Sequence, residues 1–290
     1  MGKTTCAVSV SIYLSINSRT LLVSTDPAHS VSDSLGQAIG DNVKEVKGIN
    51  NLSAIEMNAD KVLLEFKIKY NDKIRKILNT STNLDKEDIN MVFDLAIPGM
   101  NELMGLKTII DFIEEGKYDK YVVDTAPTGH ALQLLTGHEM LDDWIKVMAK
   151  LRWKYRYIIE RFSGGYKQDD GDDFLISMKK TVEKLKSLLK DSQRCEFIPV
   201  TIPEDMSIAE TERLITRLAL HGIKVRQLVI NNVLEVSNCE FFMEKMKKQQ
   251  ENIKNIRNKF SDLLITIIPL QRHEVKDMEN LKSFKEILCP

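Results

Sequence analysis

Gly2-Lys3-Thr4-Thr5 stands at the head of the chain, and from Cys6 to Ile16 small and apolar residues follow it (Ala7, Val8, Val10, Ile12, Tyr13, Leu14). A phosphate-binding loop reads G-x-x-x-x-G-K-[ST] after a buried strand, and here its last glycine, lysine and hydroxyl precede a helix of buried character. Lys3 and Thr4 then fall in the first helical turn, where free backbone N–H groups and the helix dipole favour phosphate. Taken alone the four letters recur by chance, and a helix start with polar caps would carry the same ones.

The strands beyond them decide between those readings. Apolar runs recur at Thr20 to Thr25, Leu52 to Met57, Tyr121 to Asp124, Phe197 to Ile202, Val225 to Asn231 and Leu263 to Pro269, with helical patterns between most of them. That alternation implies an α/β fold, a mainly parallel sheet with helices on both faces. Between Asp60 and Leu189 long helical patterns rich in Lys, Leu, Ile and Met dominate. A single domain over 1–290 is therefore expected, with a helical subdomain inserted at about 60–118 and 137–191. Ser163 to Asp173, where Gly, Asp and Lys cluster, is expected as an exposed loop.

Two of the strands end on aspartate. Thr20 to Thr25 runs into Asp26-Pro27-Ala28-His29-Ser30, just past the carboxyl edge where ligands bind in open α/β sheets, although Asp-Pro also makes a simple turn or cap. Tyr121 to Asp124 runs into Thr125-Ala126-Pro127-Thr128-Gly129-His130, and an apolar strand ending in aspartate is what holds Mg²⁺ or its water in phosphoryl-transfer sites. Both carboxylates beside Gly2-Lys3-Thr4 fit one magnesium-nucleotide site.

Bulk properties exclude other classes. The 290 residues carry 41 basic and 42 acidic side chains, a formal charge of −1, so no global field argues for nucleic acid or an anionic membrane. No apolar run approaches the roughly 18 residues of a spanning helix, and no signal-peptide core opens the chain, so a cytoplasmic location is expected. Cys6, Cys195, Cys239 and Cys289 are scattered without C-x-x-C spacing and indicate neither a disulfide framework nor an intrachain zinc site.

Ser24 to Leu35 (STDPAHSVSDSL) and Val122 to Leu135 (VVDTAPTGHALQLL) resemble the two switch segments of the family of arsenite-pump ATPases and tail-anchored-protein targeting ATPases. Ile202 to Ile215 (IPEDMSIAETERLI), Val229 to Asn232 (VINN) and Pro269 to Val275 (PLQRHEV) agree with it in order and spacing, so the resemblance covers nearly the whole chain. It implies a P-loop NTPase sheet and a homodimeric ATPase that binds ATP with Mg²⁺. By the resemblance Lys3 contacts the β- and γ-phosphates, with Gly2 and Thr5 beside it, and Thr4 ligates Mg²⁺. Asp26 is implied as the catalytic aspartate that positions the attacking water, and Asp124 as the second switch's aspartate near Mg²⁺, through water. Glu204, Asn231, Pro269 and Glu274 are implied as nucleotide contacts, Asn231 being suited to adenine because its amide both donates and accepts. His29, Ser30 and His130 lie in the switches; each histidine is read as a reporter of γ-phosphate or as a structural side chain ahead of a general base.

The chain departs from the family pattern in places. The first half of the loop, with its strand and a lysine that reaches the partner's nucleotide, does not precede Gly2, so a start upstream of Met1 is expected, and weak hydrolysis from the chain as written. Cys239-Glu240-Phe241-Phe242 keeps one cysteine of a C-x-x-C that binds zinc across some dimers, so no zinc is expected, and dimerisation through the nucleotide face is. Between Ala7 and Arg194 no cysteine occurs, which disfavours a three-thiol arsenite site.

Leu141 to Phe162 places Leu141, Trp144, Met148, Leu151, Tyr155, Ile158 and Phe162 three or four apart, one apolar helix face. With Met91, Phe93, Met100 and Met104 it makes a Met- and aromatic-rich set, read as ordinary core or as an adaptable surface for varied hydrophobic helices. The resemblance favours a groove for a client's transmembrane segment, lined by Met100, Met104, Trp144, Met148, Leu151 and Tyr155, with delivery to a membrane receptor or channel. An ATPase subunit driving arsenite efflux and an inactive binding module are the alternatives.

Overall fold

A computed structural model describes residues 2–26, 28, 30–81, 100–125, 142–143, 145–150, 153, 170–235 and 239–289. They divide into two compact units, one of residues 1–57, 112–132 and 188–290, the other of 58–111 and 133–187.

The first unit holds the strands. Helix α1 (Lys3–Ser15) leads into β1 (Thr20–Ser24), the short α2 (Ser30–Leu35), β2 (Lys44–Glu45) and β3 (Leu52–Glu56). Helix α3 (Ala59–Ser81) lies in the second unit, and α4 (Met100–Glu115) returns the chain to β4 (Lys120–Asp124). After α5 (Asp170–Lys190) come β5 (Val200–Thr201), α6 (Asp205–Leu220), β6 (Gln227–Val233), α7 (Glu240–Lys259), β7 (Leu264–Pro269) and α8 (Asp277–Leu288). The ladders form two sheets, β2-β3-β1-β4 and β5-β6-β7, parallel throughout except for β2 on β3. The mainly parallel α/β arrangement is as expected; among the described residues no ladder joins β4 to β5, and β5 keeps only two of the six residues assigned to its run.

Helix α1 unites the two sheets. Val8 and Ile12 pack with Leu22, Leu52 and Ala54 of the first sheet and Val122 of β4, while Cys6 and Val10 pack with Val229 and Ile268 of the second. Such a helix must be small on several sides, and Ser9, Ser11 and Ser15 are buried on it; Ser11 and Ser15 satisfy their hydroxyls on the carbonyls of Ala7 and Ile12. Helix α8 covers the same core from its own side, with Leu281 in the first cluster and Phe284 and Leu288 in the second. Strand β6 shows the two-residue period that puts helices on both faces: Val229 meets α1 and α8, whereas Leu228 and Ile230 pack on Ile253 and Ile256 of α7.

In the helical unit Phe66 and Tyr70 of α3 and Phe174 of α5 stack with centroids 4.8 to 6.2 Å apart. Met104 and Met148 are 1% and 4% exposed, so in this structure both are core side chains and do not line an open surface. Trp144, Leu151 and Tyr155 lie outside the described residues, as does the side chain of Met100. The loop expected to reach Asp173 is shorter: Asp170, Asp172 and Asp173 form the first turn of α5, where acidic groups complement the unpaired N–H groups. Residues 163–169 are outside the described set.

Candidate functional site

Three parallel strands end side by side, and each delivers a carboxylate. In register, Ser24 of β1 lies between Glu56 of β3 and Asp124 of β4, with Asp26 two residues past the end of β1. The Asp26 N–H donates to Ser24 Oγ at 3.2 Å, and its own Oδ1 accepts from the Ala28 N–H at 3.0 Å, a local turn that holds the carboxylate at the sheet edge. Thr25 ties that turn to the neighbouring strand, its N–H and hydroxyl donating to the Asp124 carbonyl at 2.9 and 3.3 Å.

Asp124 is buried, and burial raises its pKa from 3.8 to about 6; the Thr4 hydroxyl opposes the shift, the Asp26 charge adds to it, Lys3 opposes and Glu56 adds. Those causes place the start of α1 against the two carboxylates. One oxygen, Asp124 Oδ2, is buried with no hydrogen-bond partner among the described residues. An orphaned carboxylate oxygen beside a threonine hydroxyl and the Asp26 carboxylate offers hard oxygen donors of the kind that suit a divalent cation or its water.

The phosphate-loop residues sit where α1 begins. Gly2 precedes it with φ +83°, the left-handed region, and a Cβ there would lie 2.3 Å from Asn231 Nδ2, so both conformation and space require glycine. Its carbonyl accepts from the Cys6 N–H at 3.0 Å, and Lys3, Thr4 and Thr5 form the first turn. The adjacent Cys6 thiol is no nucleophile: burial, then the Asp124 charge, pushes its pKa to about 12.

The second sheet supplies a different set. Asn231 is buried against Gly2, at the phosphate-loop end of the site. Glu204 precedes α6 with its side chain half exposed, 3.8 Å from Lys245 Nζ. Pro269 closes β7 and Glu274 pairs with Lys276 at 2.8 Å. Behind these loops stand two buried amides of α7: Gln249 accepts from the Leu234 N–H at 2.9 Å and donates to the Asn232 carbonyl at 3.3 Å, and Asn252 donates to the Pro203 carbonyl at 3.2 Å. Ser30 opens α2 and its carbonyl accepts from Ser34 Oγ, whereas Pro27, His29 and His130 lie outside the described residues.

Sequence reasoning missed Glu56, Ser32, Gln249 and Asn252. Glu56 had a signal, since it ends an apolar strand as Asp124 does; the two amides sit in a run, KKQQENIKN, that reads as solvated helix.

Strand-end carboxylates facing a glycine-lysine-threonine helix start, on a parallel α/β core, define a P-loop nucleotide hydrolase. Comparison with known proteins narrows the class. The model of a family described as anion-transporting ATPase matches residues 1–290. "ATPase ASNA1 homolog 1" of Paramecium tetraurelia is 32% identical over 300 residues, spanning 99% of this chain and 89% of that relative. "ATPase ASNA1 homolog" of Dictyostelium discoideum and "ATPase GET3" of Mycosarcoma maydis are each 32% identical, spanning 99% of this chain and 86% and 87% of their own lengths. The chain belongs to the anion-transporting ATPase family, that of the arsenite-pump and tail-anchored-protein targeting ATPases, and is a nucleotide-binding ATPase.

Proposed function

We propose that the chain is a homodimeric, cytoplasmic targeting factor that couples ATP hydrolysis to the capture of a hydrophobic transmembrane segment and its delivery to a membrane receptor. The observation that carries the hydrolytic part is the convergence of Asp26, Asp124 and Thr4 at one sheet edge, with Asp124 Oδ2 buried and unpartnered. Lys3 and the first-turn N–H groups of α1 neutralise charge on the transferring phosphoryl group, while Asp26 orients water in line with it. Thr4 and Asp124 are the residues that would hold Mg²⁺, which when bound would supply charge neutralisation for the phosphoryl group. Glu204, Pro269 and Glu274 are assigned to the nucleotide's other end, while Asn231, read from the sequence as an adenine contact, stands beside Gly2 at the phosphate-loop end.

Support for the targeting role comes from the relatives reported above, which are named as ATPases of the ASNA1 and GET3 kind. No cysteine lies between Ala7 and Arg194, which argues against a three-thiol capture of arsenite. Two measurements test the reading. Asp26→Asn is expected to lower kcat about 10²- to 10⁴-fold with nucleotide binding retained; undiminished turnover refutes the role of Asp26. With ATP the protein is expected to keep a tail-anchored substrate from aggregating, and failure to do so refutes the client.

A further inference from the structure

Strand β3 is buried along its whole length and ends on Glu56, which is 2% exposed. A carboxylate so placed is tolerated only when well bonded. Both oxygens accept from Ser32: Oε1 from the N–H at 2.8 Å and Oε2 from the hydroxyl at 2.6 Å, the short distance of a charge-assisted bond. The Ser32 oxygen in turn accepts from the Ile39 N–H at 3.0 Å, and the main-chain N–H of Glu56 itself donates to the Gly40 carbonyl at 2.9 Å. Main chain and side chain of a single residue thus hold both ends of the segment from Ser30 to Gly40.

That segment begins four residues after Asp26. Upstream of Asp26 the chain is tied to the same strand end, because Ser24 pairs with Glu56 in register and its carbonyl accepts from the Met57 N–H at 2.8 Å. The stretch carrying Asp26 is therefore strung between two anchors, and Glu56 is the downstream one.

We propose that Glu56 is a positioning residue for hydrolysis: by clamping Ser32 it sets where Asp26 points, without touching nucleotide itself. The inference rests on the role assigned to Asp26 under Proposed function. A residue that merely supported the fold would weaken nucleotide binding and stability together; one that aims Asp26 separates turnover from binding.

The test compares single-turnover hydrolysis, nucleotide affinity and thermal unfolding for Glu56→Gln, Ser32→Ala, Asp26→Asn and the pairwise combinations. Gln preserves the shape of Glu56 and can still accept the Ser32 N–H, but it loses the charge and the acceptor for the hydroxyl. Ser32→Ala breaks the same clamp from the other side and guards against a Glu56 variant that does not fold. We expect each of Glu56→Gln and Ser32→Ala to slow hydrolysis on the order of ten- to a hundredfold with nucleotide affinity within about threefold. The pair together should be no slower than the worse single variant, and Glu56→Gln should add nothing in an Asp26→Asn background. Unchanged hydrolysis in folded Glu56→Gln with Asp26→Asn inactive overturns the clamp alone. A parallel fall of affinity and rate, or additive losses in the Glu56–Ser32 pair, overturns it as well. Full turnover in Asp26→Asn overturns the Asp26 reading and with it the route proposed for Glu56.

Discussion

The carboxyl ends of the two sheets are furnished in opposite ways. Strands β1, β3 and β4 end on Asp26, Glu56 and Asp124, and the last two are 2% exposed; strands β5, β6 and β7 lead to Glu204, Asn231 and Pro269, with Glu204 half in water beside Lys245. Burial raises the pKa of Asp124, and the Asp26 and Glu56 charges add to it, so this edge is a place where a cation is welcome. Amides and main-chain groups carry no such tension, and their directional bonds suit recognition. The proposed function would put the chemistry on the first of these halves and nucleotide recognition mainly on the second, with Asn231 packed beside Gly2 where the halves meet.

Four substitutions would break or sharpen that division, beginning with the largest effect. Asp26→Asn should remove 10²- to 10⁴-fold of kcat, roughly, and leave affinity nearly intact, which is chemistry without recognition. Asp124→Asn should also stop hydrolysis, yet stabilise the nucleotide-free protein. The Asp124 carboxyl titrates near 6 in the fold against 3.8 ordinarily, so its contribution to stability is full below about pH 4 and is lost as pH rises through about 6. The loss is on the order of 3 kcal/mol by pH 7, and thermal unfolding between pH 4 and 7 should flatten in the Asn variant if Asp124 is its source.

Gln249→Ala probes the other half. It leaves the Leu234 N–H and the Asn232 carbonyl without their partner, costs about 1–2 kcal/mol of stability, and should weaken nucleotide affinity with kcat unchanged. A kcat effect there would erase the distinction between the sheets. Lys245→Ala should do least, because its pairing with Glu204 is long and both side chains are about half exposed; a change in affinity of less than about threefold is expected from titration calorimetry.

Asp26 and Asp124 were legible because an apolar run ending in aspartate is a local pattern, and the helix after Gly2 was legible for the same reason. Glu56 ends just such a run, but its meaning depends on Ser32, a residue 24 positions away that only folding brings near. Gln249 and Asn252 are invisible in a lysine-rich helix until the loops behind which they stand are in place. Strand patterns do not say which strands pair or where a ladder stops, and β2, two exposed residues on an edge, has no pattern at all. The start of α5 was mistaken for loop because aspartates and glycine favour turns as readily as they favour a helix's first turn.

Helix α1 buries Val8 and Ile12 with Leu281, and Cys6 with Phe284 and Leu288. On the ribosome those partners emerge only after every other described element has been made. The helix that begins at Lys3 must wait through the synthesis of both sheets before its core can close, a long-range closure of the slow-folding kind. Nascent chains stalled before α8 would show an apolar helix surface to whatever protects them.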